Sequence, residues 1–534
     1  MTSDLLRTFN PLWLAGPIFD KELRVASRQR RTYAIRAGYL LLMSLTLLSA
    51  WYSIRRAQIS AVLGASLNAF LAMNVTIRLI HFQFMAAQIL AAVALAGSIG
   101  DEIRKGSLGV LLSTPMTSAQ IVVGKLLSGL LQVVLLLAIS LPALAAVRVM
   151  GGIPWTALWA GLCVTLTAAL FCGVLCLWLG TYYRRPYQII SAGTVVYLVA
   201  LMALPALVAL AGSAVIPGWG PSVQALIDPR RAISAQLSTL WGGGAPVVVH
   251  FSWPAHCLVM LVITFLLFAL SVQRIRRMAF PPAAARGVWF GSAEPLGLPS
   301  VWKRGSNRLW ALSRIDKAAI LGALATAVLA VWSGMTHPRG YDTSLNDIAW
   351  VFSTVALLQM AVLAAGGIAR DKESGAWPLL LTTPLDDRQI VRGKARVALR
   401  RGLPLLLAAL VVRISFMMGV GVPNNERVVY AMYYTFPFLA SAFFILAAGL
   451  YFGIRLRTTT AAVSATVAAY LGLNYFVAGY YSPLFVWLQY TLVYARPRPS
   501  LYIFGMAAAP FVLDIVLGVV LIRRAHHHVR TAST

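Results

Sequence analysis

Apolar residues run along this chain in blocks long enough to cross a bilayer, and charge is confined to the gaps between them. The blocks fall at 33–53, 79–99, 126–147, 155–180, 187–211 and 254–273, and again at 317–335, 347–369, 402–420, 433–454, 459–480 and 501–522. A bilayer core takes roughly 20 apolar residues per helix. The pattern therefore predicts an all-α polytopic membrane protein with twelve transmembrane helices. Residues 57–78 fit either an extension of the second span or a segment lying along the outer surface.

Two of the gaps share an unusual pattern. "GSIGDEIRKGSLGVLLSTPMTSAQIVVGK" (97–125) and "GGIARDKESGAWPLLLTTPLDDRQIVRGK" (366–394) align without a gap at an offset of 269, and 12 of the 29 positions are identical. Later, "LGTYYRRPYQIISAGTVVYL" (179–198) aligns with "FGIRLRTTTAAVSATVAAYL" (452–471) at an offset of 273. The chain thus reads as two six-helix units. Six is even, so both units have the same orientation, a parallel repeat. The first unit is 1–273 and the second 311–534. The stretch 274–310, rich in Pro, Gly and Arg, is the cytoplasmic linker between them.

Charge orients the spans. The 534 residues hold 45 Lys and Arg against 16 Asp and Glu, a net +29. With twelve spans, 34 of the basic residues fall on one side and 11 on the other or its margins. The positive-inside rule puts the richer side, and both termini, in the cytoplasm of a plasma membrane. Both duplicated gaps then face inward. Only 11% of residues are charged, against about 25% in soluble domains. The basic balance is accounted for by loops and anionic headgroups, not nucleic acid.

Each duplicated gap has the chemistry of a hard, short hairpin. The charges around Glu102 and Glu373 cannot enter lipid cheaply. Gly106 and Gly375 open a short half-apolar helix carrying Leu111 and Leu112, or Leu380 and Leu381. Thr114-Pro115 and Thr383-Pro384 end it, because proline disfavours helix at the residue before it. Thr117 or Ser118, and Asp386 or Asp387, can cap the helix that follows. This shape suits docking into a groove on another protein, though one copy alone would pass for a loop on headgroups.

These segments resemble the coupling segment of ABC-2 type transporter permeases, "E-x-G-T-L-x-x-L-L-x-T-P-L-S-x-x-x-I-x-x-G-K". The resemblance implies two coupling segments, one of Glu102, Gly106, Leu111, Leu112, Thr114 and Pro115, the other of Glu373, Gly375, Leu380, Leu381, Thr383 and Pro384. It also implies six spans in each half, an amphipathic cytoplasmic helix at 16–33, short re-entrant helices within 212–252, and export; many members of the family are single halves that dimerise, whereas here two halves are fused in one chain. The implied partner is a cytosolic ATP-binding cassette ATPase, as two copies or a heterodimer, holding ATP and Mg. This sequence departs from the pattern in two ways. Three residues separate Glu102 from Gly106, and Trp377 stands where leucine is usual.

Absences narrow the mechanism. No G-x-x-x-x-G-K-[ST] phosphate cradle occurs, and the two Gly-Lys pairs, Gly124-Lys125 and Gly393-Lys394, lack its other residues. The chain is therefore expected not to be an enzyme and to hold no cofactor itself. The alternatives are an ion-gradient-driven carrier, or a membrane enzyme or assembly subunit without transport. A gradient-driven carrier needs acids at membrane depth. Asp514 alone lies well inside a span, and it is read as structural, hydrogen-bonded or paired with an intramembrane arginine such as Arg413. Cys163, Cys172, Cys176 and Cys257 read as core residues, and the His526–His528 run as a solvated tail; no metal site is expected. Membrane lipid surrounds the chain. The transported substrate is unknown from these residues.

Overall fold

The computed structural model describes residues 64–100, 102, 117–151, 153–183, 186–213, 219–238, 252–279, 343–419, 427–459, 461–470, 472–473 and 499–528, with scattered positions between 19 and 48. Among them the chain is helical throughout, with no strand. The helices are α1 (Gly64–Ala96), α2 (Ser118–Gly151), α3 (Trp155–Gly180), α4 (Pro186–Leu198), α5 (Leu204–Ser213), α6 (Trp219–Ile227), α7 (Pro229–Ser238), α8 (Trp253–Ala279), α9 (Thr343–Glu373), α10 (Ala376–Leu381), α11 (Asp387–Gly419), α12 (Arg427–Arg455), α13 (Ala461–Tyr470) and α14 (Pro499–His528). A π-helical turn, Val199–Ala203, joins α4 to α5.

Seven helices among the described residues are long and apolar enough to cross a membrane. They answer to the predicted windows 79–99, 126–147, 155–180, 187–211, 254–273, 347–369 and 433–454. Windows 402–420 and 501–522 largely fall within α11 and α14, and α13 fills part of 459–480. Window 317–335 lies outside the described residues, and 33–53 is described at scattered positions only. Helix α1 is continuous from Gly64, so 64–78 extends the second span. Helix α8 runs to Ala279, into the stretch read as linker, and the rest of 280–310 lies outside the described residues.

The loop between α5 and α8 forms the pair of short helices α6 and α7. Asp228 breaks them and caps α7, its Oδ1 accepting the N–H of Arg230 at 2.8 Å and that of Arg231 at 3.4 Å. Complete burial pushes the Asp228 carboxyl above its ordinary value, and the neighbouring Arg230 opposes that shift. His256 Nδ1–H of α8 donates to Leu226 O at 2.8 Å. The Arg230 guanidinium lies 4.9 Å from the Trp350 ring, which ties the cap to α9.

Apolar side chains cannot drive helix association in lipid, so close backbone approach does. Gly449 and Gly453 form a G-x-x-x-G stripe on α12 that lets α9 approach. A Cβ at Gly449 would lie 2.6 Å from Ala364 Cβ and 3.0 Å from Ala365 N. Gly453 faces Ile368 and Ala365 O, while in the first half Gly180 faces Ile99. Ile99 and Ile368 are partners in the 269-residue alignment, as Gly180 and Gly453 are at 273. Gly449→Val is expected to cost about 1–3 kcal/mol by overpacking, seen as a lower thermal midpoint in detergent. Gly393→Ala, whose added Cβ meets nothing within 4 Å, is the control and should leave the midpoint level or raise it.

Candidate coupling site

The second duplicated segment is described in full. Helix α9 ends where Ser374 N donates to Arg370 O at 3.0 Å and Gly375 N to Lys372 O at 3.2 Å. Gly375 then takes φ +72°, the left-handed turn that glycine adopts without a Cβ penalty. This reverses the chain into α10, six residues long. The Thr382 hydroxyl donates to Leu379 O at 2.8 Å and that of Thr383 to Leu380 O at 2.6 Å, satisfying two of the last carbonyls. Pro384 follows and stops the helix.

The hairpin has an inside and an outside. Trp377 is 3% exposed and packs in one cluster with Ile368, Ile390, Val391 and Ile454. The large indole, where the family pattern has leucine, is the plug that seats α10. Lys372 Nζ lies 5.6 Å from its ring and also donates to Ile454 O. Leu380 and Leu381 are half-buried against the same cluster. Leu379, by contrast, is 70% exposed, and Thr382, Thr383, Pro384 and Leu385 are exposed as well. The result is an apolar tip on a rigid base.

The base is clamped by an ion pair that occurs twice. Lys394 pairs with Asp371 and donates to Gly367 O at 3.1 Å. Lys125 pairs with Glu102 at 3.2 Å. In both copies the partners are 23 residues apart, and in the second they stand across the hairpin. The cap that restarts the following helix also occurs at matching positions. Thr117 N donates to Gln120 Oε1 at 2.9 Å and Gln120 N to Thr117 Oγ1 at 3.2 Å, while Asp386 N donates to Gln389 Oε1 at 3.2 Å.

Of the sequence-predicted residues, Gly106, Leu111, Leu112, Thr114 and Pro115 lie outside the described residues. Glu102 is described and sits in the clamp. Its structural counterpart is Asp371, which is also separated from its glycine by three residues, removing the apparent irregularity of spacing. Glu373 does something else: its Oε1 accepts the N–H of Thr459 at 2.7 Å, at the turn that leads into α13. Sequence reasoning missed the clamp lysines as functional positions, although both stood in the identical "QIV.GK" run.

The intramembrane charges are placed apart from the hairpins. Asp514 of α14 is buried and accepts the Ser441 hydroxyl of α12 at 2.9 Å. Arg413 Nε donates to Ser353 Oγ at 2.6 Å, and its guanidinium lies 5.0 Å from the Phe438 ring. Among the described residues no group of three or more His, Cys, Asp and Glu side chains is arranged to hold a metal ion.

Apolar helices long enough to span a bilayer, joined by a clamped hairpin, define a multi-pass α-helical membrane protein. Residues 17–279 match the family model described as ABC-2 family transporter protein, and this half of the chain belongs to the ABC-2 type permeases. Membership implies a separate ATPase subunit and a lipid environment. A comparison with curated proteins finds no match.

Proposed function

We propose that the chain is the membrane-spanning permease subunit of an ATP-binding cassette exporter, with two six-span halves fused in one chain and both termini in the cytoplasm. A separate ATPase, as two copies or a heterodimer, grips the hairpins at 101–125 and 370–394. ATP and Mg belong to that partner. Its closure pulls on the hairpins and rocks the two halves as rigid bodies. One observation carries this reading: an exposed apolar tip on α10 stands on a base clamped by Lys394 and Asp371, and the same clamp recurs as Lys125 and Glu102. A stiff lever transmits force; a loop lying on headgroups needs no clamp.

Orientation is the first test. In a variant freed of its native cysteines, Thr382→Cys is expected to react with a membrane-impermeant maleimide in inside-out vesicles and not in intact cells. Labelling from outside the cell would invert the topology and end this reading. Purification of the full chain from its native membrane in mild detergent is further expected to bring down a nucleotide-binding subunit whose ATP hydrolysis depends on the hairpins.

A further inference from the structure

The two halves differ on one face. Helix α11 enters the membrane behind a ladder of exposed arginines, Arg388, Arg392, Arg396 and Arg400, with Arg401 beside them. Steps of four residues stay on one side of a helix, drifting by about 40° each. The same side continues as exposed Leu403, Leu407, Val411 and Ile414. That stripe faces lipid, so the ladder is aimed along the lipid-facing side. No Asp or Glu occurs between Asp387 and Glu426.

The equivalent helix of the first half, α2, carries no such ladder. At the 269-residue offset, Arg388, Arg392, Arg396 and Arg400 correspond to Ala119, Val123, Leu127 and Leu131. On α2 the exposed apolar stripe already begins at Leu127, followed by Val134 and Leu141. Arg396 therefore stands where the equivalent helix of the first half carries an exposed leucine.

Depth separates the rungs of the ladder. At 1.5 Å per residue, Arg396 to Arg401 lie roughly 3–10 Å below Leu403, and Arg388 roughly 22 Å below it. The headgroup layer is about 5–7 Å thick on each side. Arg400 and Arg401 thus stand among headgroups and Arg396 just past their outer edge, within reach of its long stem, with exposed Val397 and Leu399 between them to enter the acyl boundary. The helix does not swing away below its Pro404. Gly402 still packs on Met360 of α9, and Lys394 still pairs with Asp371.

We propose that Arg396, Arg400 and Arg401 form a binding site for anionic phospholipid in the inner leaflet, present on α11 and absent from the equivalent helix α2. Guanidinium groups on long stems bind headgroup phosphate in a forked, charge-assisted geometry while their methylenes cover apolar surface. A zwitterionic headgroup offsets its phosphate with an ammonium, so net-anionic lipid is selected. The consequence is that the second half is anchored to charged lipid beside its hairpin through a contact that α2 does not make. This inference does not depend on the ATPase reading.

The test uses the full chain in nanodiscs of mixed phosphatidylcholine and phosphatidylglycerol. Lipid retained after detergent exchange is quantified by mass spectrometry. The wild type is expected to retain phosphatidylglycerol well above its bulk proportion. Arg396→Gln/Arg400→Gln/Arg401→Gln should lower that enrichment at least about fivefold, with phosphatidylcholine unchanged. The triple lysine variant keeps the charge and fold and should retain most of the enrichment. Absence of enrichment in the wild type overturns the site whether or not the glutamine variant folds. Equal loss in Arg388→Gln/Arg392→Gln also overturns it, because those rungs lie beyond the headgroups.

Discussion

Leu379→Glu combined with Leu385→Glu is expected to abolish ATPase binding while leaving the membrane-spanning fold intact. Leu379 is 70% exposed and Leu385 43% exposed, so neither side chain contributes much packing to the isolated chain. Surface substitutions of that kind stay within about 0.5 kcal/mol of the parent, and the thermal midpoint in detergent should hardly move. At an interface the arithmetic reverses. Burying a leucine contributes about 1.5–3 kcal/mol, and a carboxylate forced into the same cleft adds its own desolvation cost. Losing two such anchors exceeds about 3 kcal/mol, or more than a hundredfold in Kd. Pull-down of the ATPase and permease-stimulated ATP hydrolysis are the two readouts. If the double variant folds, binds and stimulates like the wild type, α10 lies on headgroups and is no handle. Leu379→Met, similar in volume and still apolar, should bind normally.

Much of the fold was legible because hydropathy reports lipid exposure directly. The window 155–180 coincides with α3, bounded by Pro154 on one side and the Tyr-Tyr-Arg-Arg turn on the other. The helix restart after each Thr-Pro step was legible too, since capping residues act locally. Elements defined by pairing across space were not. The π turn at Val199–Ala203 lies in uniformly apolar sequence and leaves no local mark. Helix α11 begins at Asp387, well before its predicted window, because a hydropathy scan sees only lipid-compatible turns and α11 starts with four arginine-bearing ones. The deepest gap concerned the acids. Motif spacing singled out Glu373, yet the side chain that meets the clamp lysine is Asp371. Only the antiparallel packing of α9 and α11 brings residues 23 apart into contact.

The two clamps look alike but are expected to respond unequally when broken. Lys125 is 4% exposed in its side chain and Glu102 20%, whereas Lys394 and Asp371 are each about a quarter exposed, at 26% and 25%. Glu102→Ala removes the carboxylate that faces an ammonium water reaches poorly. Removing one partner of a buried pair costs about 3–5 kcal/mol, and the partial exposure of Glu102 places the expected loss near the lower bound, about 3 kcal/mol. Asp371→Ala leaves Lys394 hydrated and still bonded to Gly367 O, so about 1 kcal/mol or less is expected. Unfolding midpoints of the two variants under identical detergent conditions give the ranking. The mechanism has its own check. If the cost in Glu102→Ala comes from that poorly hydrated charge, Glu102→Ala/Lys125→Met should be more stable than Glu102→Ala alone, because the ammonium is gone. A double variant no better than the single one would mean that Glu102 acts through other contacts. The clamp would then not be what stiffens the first hairpin.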